Sequence, residues 1–369
     1  MINVSRLYCG IENSSDRFRY HSVSGPVVVY NCTNKCGQNC LHCYSKTDLD
    51  AKELDTQQAK NFLNQLVEIK CPVVLFSGGE PLERADLFEL LDYSSKLGLR
   101  TALSTNGNLI NEQVAKMLID VGVSYVGVSI DGTEKTHDNF RGIAGSFKKA
   151  VNAVKFCKEV NLKIGLRFTM TNRNFSQIHD IFSLAQNLNV QRICFYHLIS
   201  AGQAVKNNLK CTNQQVRQSL NDILNCAKGF SSKGVTEVLT VGNHADGAFV
   251  LNRLKQEKLP LYEKTFDLLQ KFGGNKIGIK ILDVDSAGNI HPDQFWQNYS
   301  LGNVTEMEIG EIFKKSLNIF MDKTEFSPDR CKKCCWLKIC GTNMRDTHLE
   351  PDCYLDDKEI EGKQNEFAC

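Results

Sequence analysis

Three cysteines in one short stretch, Cys36, Cys40 and Cys43, are spaced as CxxxCxxC. Cysteine thiolates hold iron–sulfur clusters, and a [4Fe–4S] cluster normally takes four of them. Three thiolates therefore leave one iron open, and an open coordination position is where a metal site performs chemistry. A zinc site is the alternative, because Cys32 or His42 could supply a fourth ligand nearby.

A second group of cysteines lies near the end of the chain, where Cys331, Cys334, Cys340 and Cys353 follow one another. They could hold a fully ligated second iron–sulfur cluster or a structural zinc ion, and Cys335 could compete as a ligand. The whole chain has 16 cysteines. In a reducing cytosol, such clustering indicates metal binding rather than a disulfide framework.

The composition is that of an ordinary globular protein, with 42% hydrophobic and 23% charged residues among 369. A formal net charge of +2 argues against bulk electrostatic binding of nucleic acid. No apolar run approaches the roughly 18 residues of a membrane span, and the first residues lack a secretory signal. We therefore expect a cytoplasmic protein with neither nucleic acid nor a membrane as its partner.

The elements that must position the first cysteine group alternate along the chain. Continuous β-branched runs predict six strands, and apolar residues at helical spacing predict a helix after each strand. The predicted strands are 26–31, 73–76, 99–104, 125–130, 162–169 and 192–197, and the predicted helices are 56–69, 87–97, 112–121, 147–160, 176–188 and 214–230. This α/β alternation implies a parallel sheet, either doubly wound or an incomplete barrel, with ligands at the carboxyl ends of its strands.

Polar residues that could bind a ligand follow these strands in turn. Besides the cysteine loop they are Gly78, Gly79 and Glu80 after the second strand, Ser104 and Asn106 at the third, Ser129 and Asp131 at the fourth, and Arg167 in the fifth. Read singly, GGEP is only a turn, and Arg141 is only a solvated surface residue. An unpaired Arg167 in an apolar strand would be costly, so we expect an internal or ligand partner for it.

The regular alternation predicts a division of the chain into four parts. An N-terminal extension (1–24) precedes the barrel-type core (25–232), and a region mixing Gly, Asn and two short helical patterns (233–280) links it to a cysteine-rich domain (281–369). The last part has too few apolar residues for a deep core, so we expect it to depend on its metal site.

The CxxxCxxC loop after the first strand, together with the GGE motif after the second, resembles the radical SAM superfamily. The resemblance implies a partial (β/α)6 TIM-like barrel and an enzyme. The open iron would bind the amino and carboxylate groups of S-adenosyl-L-methionine (SAM). One electron, from a donor such as flavodoxin or ferredoxin, would cleave SAM to a 5′-deoxyadenosyl radical that abstracts a hydrogen atom from the substrate.

The same resemblance assigns SAM contacts along the rim of the barrel. The Gly78-Gly79-Glu80 motif would accept from the ammonium group, and Ser104 and Asn106 match the region that contacts the ribose. Ser129 and Asp131 match the polar end of the fourth strand. Arg141, in HDNFRG, matches the arginine that pairs with the methionine carboxylate, and Arg167 joins the cofactor-binding set with its partner left open.

The C-terminal cysteines resemble the second half of a SPASM domain, the auxiliary-cluster module of many radical SAM enzymes. A full SPASM domain carries seven cysteines and two auxiliary clusters. This chain has Asp293 and Met344 where two of those cysteines would stand. The resemblance therefore implies one auxiliary [4Fe–4S] cluster, used for electron transfer or for structural support.

Longer segments such as GPVVVYNC, GNHADG and HPDQFW resemble the NirJ group of radical SAM enzymes over roughly residues 17–362. That group acts in heme d1 biosynthesis, which implies a tetrapyrrole substrate, 12,18-didecarboxysiroheme, that loses propionate side chains. The related AhbC group, of the siroheme-dependent heme pathway, would remove acetate side chains instead. His197, His244 and His291, with Phe295 and Trp296, are candidates to contact such a flat iron macrocycle.

Two further functions compete with a tetrapyrrole enzyme. A SPASM peptide maturase would need a peptide-docking module, and only 24 residues precede the predicted core. A non-catalytic iron–sulfur electron carrier would need neither a cluster loop with an open iron nor the GGE motif.

Overall fold

The computed structural model describes residues 1–11, 25–44, 52–231, 237–322, 327–342 and 353–361. Its strands are β1 (Ile2–Asn3), β2 (Val27–Asn31), β3 (Val74–Ser77), β4 (Thr101–Thr105), β5 (Tyr125–Ser129), β6 (Ile164–Met170), β7 (Arg192–His197), β8 (Glu237–Val241), β9 (Ile281–Val284), β10 (Asn289–His291) and β11 (Gly302–Asn303).

The α-helices of the described residues are α1 (Val4–Leu7), α2 (Thr56–Glu68), α3 (Leu87–Lys96), α4 (Glu112–Asp120), α5 (Glu134–Arg141), α6 (Ser146–Glu159), α7 (Ile178–Leu188), α8 (Gln203–Lys206), α9 (Asn213–Ser231), α10 (Ala245–Gln256), α11 (Tyr262–Phe272), α12 (Ile309–Phe320), α13 (Asp329–Lys332), α14 (Leu337–Cys340) and α15 (Asp357–Ile360). Two 3₁₀ turns occupy Pro81–Glu83 and Phe175–Gln177.

The six predicted strand–helix units are present as β2 to β7, with every boundary within two residues of its predicted position. Neighbouring strands in this series are all parallel. Residues at or after the carboxyl ends of all six strands line one cavity, which requires the sheet to curve. The predicted α/β partial barrel is therefore what the chain forms.

Local sequence explains why these elements form where they do. Asp55 caps α2 in a capping box with Gln58, which satisfies backbone donors that the first turn leaves open. Alternate apolar side chains of β2 and β3, among them Tyr30 and Phe76, are completely buried in the core. Each such burial contributes about 1.5–3 kcal/mol, so strand position is set by the core.

The central sheet is wider than the sequence indicates. Its full order is β1-β8-β7-β6-β5-β4-β3-β2-β9-β10-β11. β8 extends the parallel run beyond β7, β1 pairs antiparallel with β8, and β9 pairs parallel with β2. Short strands such as β1 and β8 carry little periodicity, and their long-range partners specify them.

The predicted division at residues 24, 232 and 280 stays a prediction, although β1, β8 and β9 all join the central sheet. Residues 12–24 and Met344 lie outside the described residues. Among the helices that are described, none combines the length and apolar character needed to cross a membrane.

A buried carboxyl ties β9 to the strand that precedes the cysteine loop. Asn31, the last residue of β2, donates its side-chain amide to both oxygens of Asp283, at 2.9 and 3.1 Å. Burial, together with the nearby Asp293 and Asp285, raises the pKa of Asp283 well above its usual range. The protonated form of this carboxyl is therefore favoured by folding.

Asp283→Asn is expected to flatten the pH dependence of stability. Because the folded pKa of Asp283 is raised, its contribution is complete below the unfolded pKa of about 3.9 and is lost as pH rises towards the folded pKa. The stability difference between variant and wild type should therefore grow by up to about 1.4 kcal/mol per pH unit above that point. Urea midpoints of anaerobic, cluster-loaded protein between pH 5 and 8 measure it.

Asp285→Asn is the matched control, because hydrogen bonds from His291 and Asn289 outweigh burial and lower the pKa of Asp285. Its contribution is present above the unfolded pKa, so this variant should be less stable by about 1.5–3 kcal/mol throughout the same range. Parallel midpoint curves for Asp283→Asn and wild type would contradict the assignment.

Candidate active site

One cavity, of about 1060 Å³ including the space open to solvent, lies at the carboxyl ends of β2 to β7. Most of the rim residues expected from the sequence line it, namely Cys36, Cys40, Cys43, Gly78, Gly79, Ser104, Asn106, Ser129, Arg141 and Arg167. Glu80 and Asp131 lie behind this lining. The parallel sheet thus brings together residues that are far apart in the sequence.

The GGE loop lies directly against the cysteine loop. The Gly79 N–H donates to the Thr33 carbonyl at 2.7 Å, and the Glu80 N–H donates to the Lys35 carbonyl at 2.8 Å. A Cβ on Gly79 would overlap the Lys35 oxygen, and a Cβ on Gly78, whose φ is +128°, would overlap that of Thr33. Both positions require glycine, because the two loops meet through their backbones.

The other side of the cysteine loop is held by the end of α5. The Leu41 N–H donates to the Phe140 carbonyl at 2.9 Å, and the Asn39 N–H donates to the Arg141 carbonyl at 3.2 Å. Gly142, with a φ of +70°, ends this helix in the left-handed conformation that C-terminal caps favour. The loop is therefore fixed between β3 and α5.

Arg141 carries its charge next to the cysteine loop. Its Nε donates to Asp131 at 2.6 Å, and its Nη1 lies 3.6 Å from the Cys40 sulfur. The His42 Nε2 lies 3.2 Å from the other Asp131 oxygen, without hydrogen-bond alignment. Burial alone would raise the pKa of Asp131, but the charge of Arg141, assisted by His42, outweighs it and holds that pKa well below its usual range.

Glu80 is almost completely buried, and its oxygens have partners inside the protein. They accept from the Thr105 hydroxyl at 2.7 Å and from the Asn106 N–H at 2.8 Å. Burial raises the pKa of Glu80 to about 7. In the structure Glu80 positions Asn106, whose amide nitrogen lies 4.0 Å from the Cys36 sulfur. Direct contact between Glu80 or Asp131 and SAM stays a prediction.

The spacing of the thiols fits a cluster better than a single ion. No three His, Cys, Asp or Glu side chains lie around one metal position in the described ranges. Cys32 donates to the Ser77 carbonyl at 3.4 Å and does not line the cavity, and the His42 Nε2 faces Asp131 at 3.2 Å. A four-iron cluster places its thiolates on separate irons, which matches three cysteines spread along one cavity wall.

The C-terminal cysteines also form one neighbourhood. Burial raises the pKa of Cys340 well above its usual range, and the nearby thiols of Cys353, Cys331 and Cys334 raise it further. Cys335 instead directs its sulfur to the Glu359 carbonyl at 3.5 Å. These four thiols are therefore the set that could hold an auxiliary cluster, with Cys335 outside it.

A histidine and a tyrosine connect the two cysteine regions, and sequence reasoning missed this link. The His197 Nε2 lies 2.9 Å from one Asp246 oxygen, and the Tyr354 hydroxyl donates to the other at 2.7 Å. His197 also borders a second cavity of about 800 Å³ that reaches Cys353 and Tyr354. The only sequence signals were GNHADG and the tyrosine beside Cys353.

The other candidates for contact with a macrocycle divide into two groups. Phe295 lines the cavity, with its ring 5.0 Å from that of Tyr44. Trp296 packs into the core against Phe320, so the expectation that it could stack on a ligand is wrong. His291 is buried and bonded to the Tyr299 carbonyl at 3.0 Å, a structural role.

Comparison with known proteins gives three findings. The profile of the Radical SAM superfamily matches residues 30–185. Fe-coproporphyrin III synthase of Methanosarcina barkeri is 39% identical to this chain, and the alignment covers 98% of this chain and 99% of that protein. Pre-heme d1 synthase of Dinoroseobacter shibae is 33% identical, and the alignment covers 89% of this chain and 86% of that protein. SuiB of Streptococcus suis bound to precursor peptide SuiA has a TM-score of 0.70 at 17% identity, covering 88% of this chain and 73% of that one, which shows the fold.

Gly79→Ala is expected to displace the cysteine loop, because its Cβ cannot avoid the Lys35 carbonyl. Overpacking of this kind costs about 1–3 kcal/mol, and we expect lower iron content after anaerobic reconstitution. Gly229→Ala is the control: it lies within α9 with open space around it, and should be neutral or stabilising by about 0.5–1 kcal/mol. Equal iron contents in the two variants would show that the backbone contact does not fix the cysteine loop.

Cys340→Ala is expected to lower iron content by one cluster and to reduce stability, while some SAM cleavage uncoupled from substrate persists. Its matched control is Cys335→Ala, whose sulfur faces a carbonyl instead of the other thiols. Iron, sulfide and zinc analysis of both variants measures the difference. Unchanged iron in Cys340→Ala would indicate zinc, or no metal, at that group.

Proposed function

Since the chain belongs to the radical SAM enzymes of the heme biosynthesis family, we propose that it removes acetate side chains from 12,18-didecarboxysiroheme to yield Fe-coproporphyrin III.

The similarity to Fe-coproporphyrin III synthase, 39% over essentially the full length of both chains, carries this proposal. A coproporphyrin keeps its propionates, so an enzyme that forms it from a siroheme derivative must remove acetates. The similarity to pre-heme d1 synthase is 33% over a smaller share of each chain. Propionate removal, the first expectation from the sequence, is therefore the less supported of the two reactions.

The residues of the cavity fit the cofactors that this family implies. A [4Fe–4S] cluster with one open iron and SAM, when bound, supply one-electron cleavage of SAM and so hydrogen-atom abstraction from an unactivated C–H bond. Cys36, Cys40 and Cys43 would hold the cluster. Arg141 places a positive charge beside Cys40, where a reduced cluster and a carboxylate both carry negative charge.

Polar groups on the walls would orient SAM. Ser104, Asn106 and Ser129 face the cavity from the ends of β4 and β5. Asn106 is held in place, because its backbone N–H is bonded to the buried Glu80 and its side-chain oxygen accepts from the Asn108 N–H at 2.8 Å. Because this wall is formed before SAM binds, less conformational entropy is lost when the ligand binds.

The cavity also suits a flat macrocycle. Leu198, Ile199 and Phe295 offer apolar and aromatic surface, and His197 offers an imidazole held by Asp246. The catalytic cavity and the second cavity share His197, Leu198 and Ile199 as lining residues. The second cavity thus borders the first on the side of the C-terminal cysteines, where we propose an auxiliary [4Fe–4S] cluster. A donor such as flavodoxin or ferredoxin would supply electrons to both clusters.

The test is an anaerobic assay of reconstituted enzyme with SAM, dithionite and 12,18-didecarboxysiroheme, analysed by mass spectrometry. We expect a product that has lost two acetate side chains and kept its propionates. Cys40→Ala should abolish SAM cleavage, because it removes one cluster ligand, whereas Cys71→Ala, at a buried thiol bonded to the Val73 carbonyl, should retain it.

Each outcome of this assay decides between functions. Loss of propionate-derived mass would reassign the chain to the heme d1 type of reaction. An unchanged tetrapyrrole in a preparation that cleaves SAM would reject the tetrapyrrole substrate, and normal turnover by Cys40→Ala would reject the cluster assignment.

A further inference from the structure

Arg167 is a partly buried cation in the wall of the catalytic cavity. It lies in the middle of β6, opposite Ser129 of β5 and Cys194 of β7. Its guanidinium carbon lies 4.7 Å from the ring centre of Tyr196, on the neighbouring strand, and both side chains line the cavity. Stacking on an aromatic ring fixes the plane of the guanidinium and leaves its N–H donors directed outward from its edge.

The barrel leaves space for this side chain. A Cβ at Gly127, in the adjacent β5, would lie 2.7 Å from the Cδ of Arg167. The backbone of Gly127 has no positive φ that would by itself require glycine. Glycine at this position therefore allows the aliphatic stem of Arg167 to cross the inner face of the sheet.

Arg167 has no acidic partner within the part of the chain that the structure describes, although three other buried or partly buried arginines of the barrel have one. Arg141 pairs with Asp131, Arg192 pairs with Glu237, and Arg84 pairs with Asp86. The ionisable groups around Arg167 are Tyr196, Cys194, Tyr125 and Tyr44, and burial raises the pKa of each, so none of them supplies a negative charge at pH 7. A cation–π contact compensates only part of the cost of partly desolvating a charge, so an anion bound in the cavity would be stabilised beside Arg167.

We propose that Arg167, stacked on Tyr196, binds a side-chain carboxylate of the substrate. This assignment rests on the proposed function, since it takes the substrate to be a tetrapyrrole with a carboxylate rim. A guanidinium matches a carboxylate through two parallel hydrogen bonds, which fix direction as well as position. Arg167 thereby sets which side chain of the macrocycle faces the reacting end of the cavity.

The carboxylate of SAM is the other anion in the same cavity. SAM is expected to bind at the open iron, and the arginine beside the cysteine loop is Arg141, with its Nη1 3.6 Å from the Cys40 sulfur. Arg167 instead contacts Tyr196 on β7, next to the wall formed by His197 and Leu198 that the two cavities share. Its position thus favours the larger substrate over the methionine group.

The experiment measures binding of two probes to reconstituted, anaerobic protein: 12,18-didecarboxysiroheme, followed by its absorption spectrum, and SAM. In Arg167→Gln we expect affinity for the tetrapyrrole to fall about tenfold to a hundredfold, the effect of one charged hydrogen-bonded pair, with affinity for SAM unchanged. The affinity of Arg167→Lys for the tetrapyrrole should lie between those of wild type and Arg167→Gln, because lysine keeps the charge but lacks the planar guanidinium. Arg173→Gln, at an exposed arginine, is the control for net charge and should match wild type.

A second ligand makes the test specific for a carboxylate. The methyl ester of the tetrapyrrole should bind wild-type protein more weakly than the free acid, and this discrimination should shrink in Arg167→Gln. In addition, ligand-free Arg167→Met should unfold at the same temperature as wild type or higher, because an unpaired buried charge is removed. A clear loss of ligand-free stability in that variant would assign Arg167 a structural role and overturn the proposal.

The remaining outcomes separate this assignment from the proposed function. Wild type that binds the tetrapyrrole, with Arg167→Gln binding it equally well, overturns the role of Arg167 and leaves the function standing. Loss of SAM affinity instead of tetrapyrrole affinity assigns the anion to SAM and overturns the proposal. Wild type that binds SAM but no tetrapyrrole overturns the function, and the role of Arg167 with it.

Discussion

The contact on which the site depends is the backbone-to-backbone approach of the GGE loop to the cysteine loop. The residues that carry the three cysteines have neither helical nor strand hydrogen bonding of their own. Their path is fixed by Gly79 and Glu80 on one side and by the last turn of α5 on the other. Because both sets of bonds use peptide groups, the position of the thiols is set by the barrel and not by the cysteine side chains.

The same loop contact explains how Glu80, which does not line the cavity, influences the cavity's shape. Its N–H holds the cysteine loop at Lys35, while its carboxyl holds the start of the loop after β4 through Asn106. One buried residue therefore sets the spacing of two neighbouring cavity walls. Burial that raises its pKa to about 7 is tolerated because three donors, from Thr105, Asn106 and Leu82, satisfy its oxygens.

Sequence reasoning located what depends on local pattern and missed what depends on distant partners. The six strands are specified by local signals, and this prediction is confirmed by the structure, whereas the cluster predicted from the cysteine spacing stays a prediction. The orientation of the Asp131 carboxylate cannot be predicted from its neighbours in the sequence, because it depends on Arg141 and on His42, which approaches from another loop. Trp296 illustrates the same limit, because only the packed position of α12 shows that its ring meets Phe320 instead of a ligand.

The cysteine-rich end of the chain also helps to form the catalytic cavity. Tyr354, next to Cys353, bonds to Asp246 at the start of α10, and Asp246 holds His197 at the end of β7. The rings of His197 and Tyr354 are nearly parallel, at 6°, with centres 6.2 Å apart. Asp246 is almost fully buried, so loss of either partner would leave part of a carboxyl unsatisfied. The conformation of the chain beside the C-terminal cysteines and the position of His197 in the cavity wall are therefore coupled through Asp246, independently of any electron transfer between the two regions.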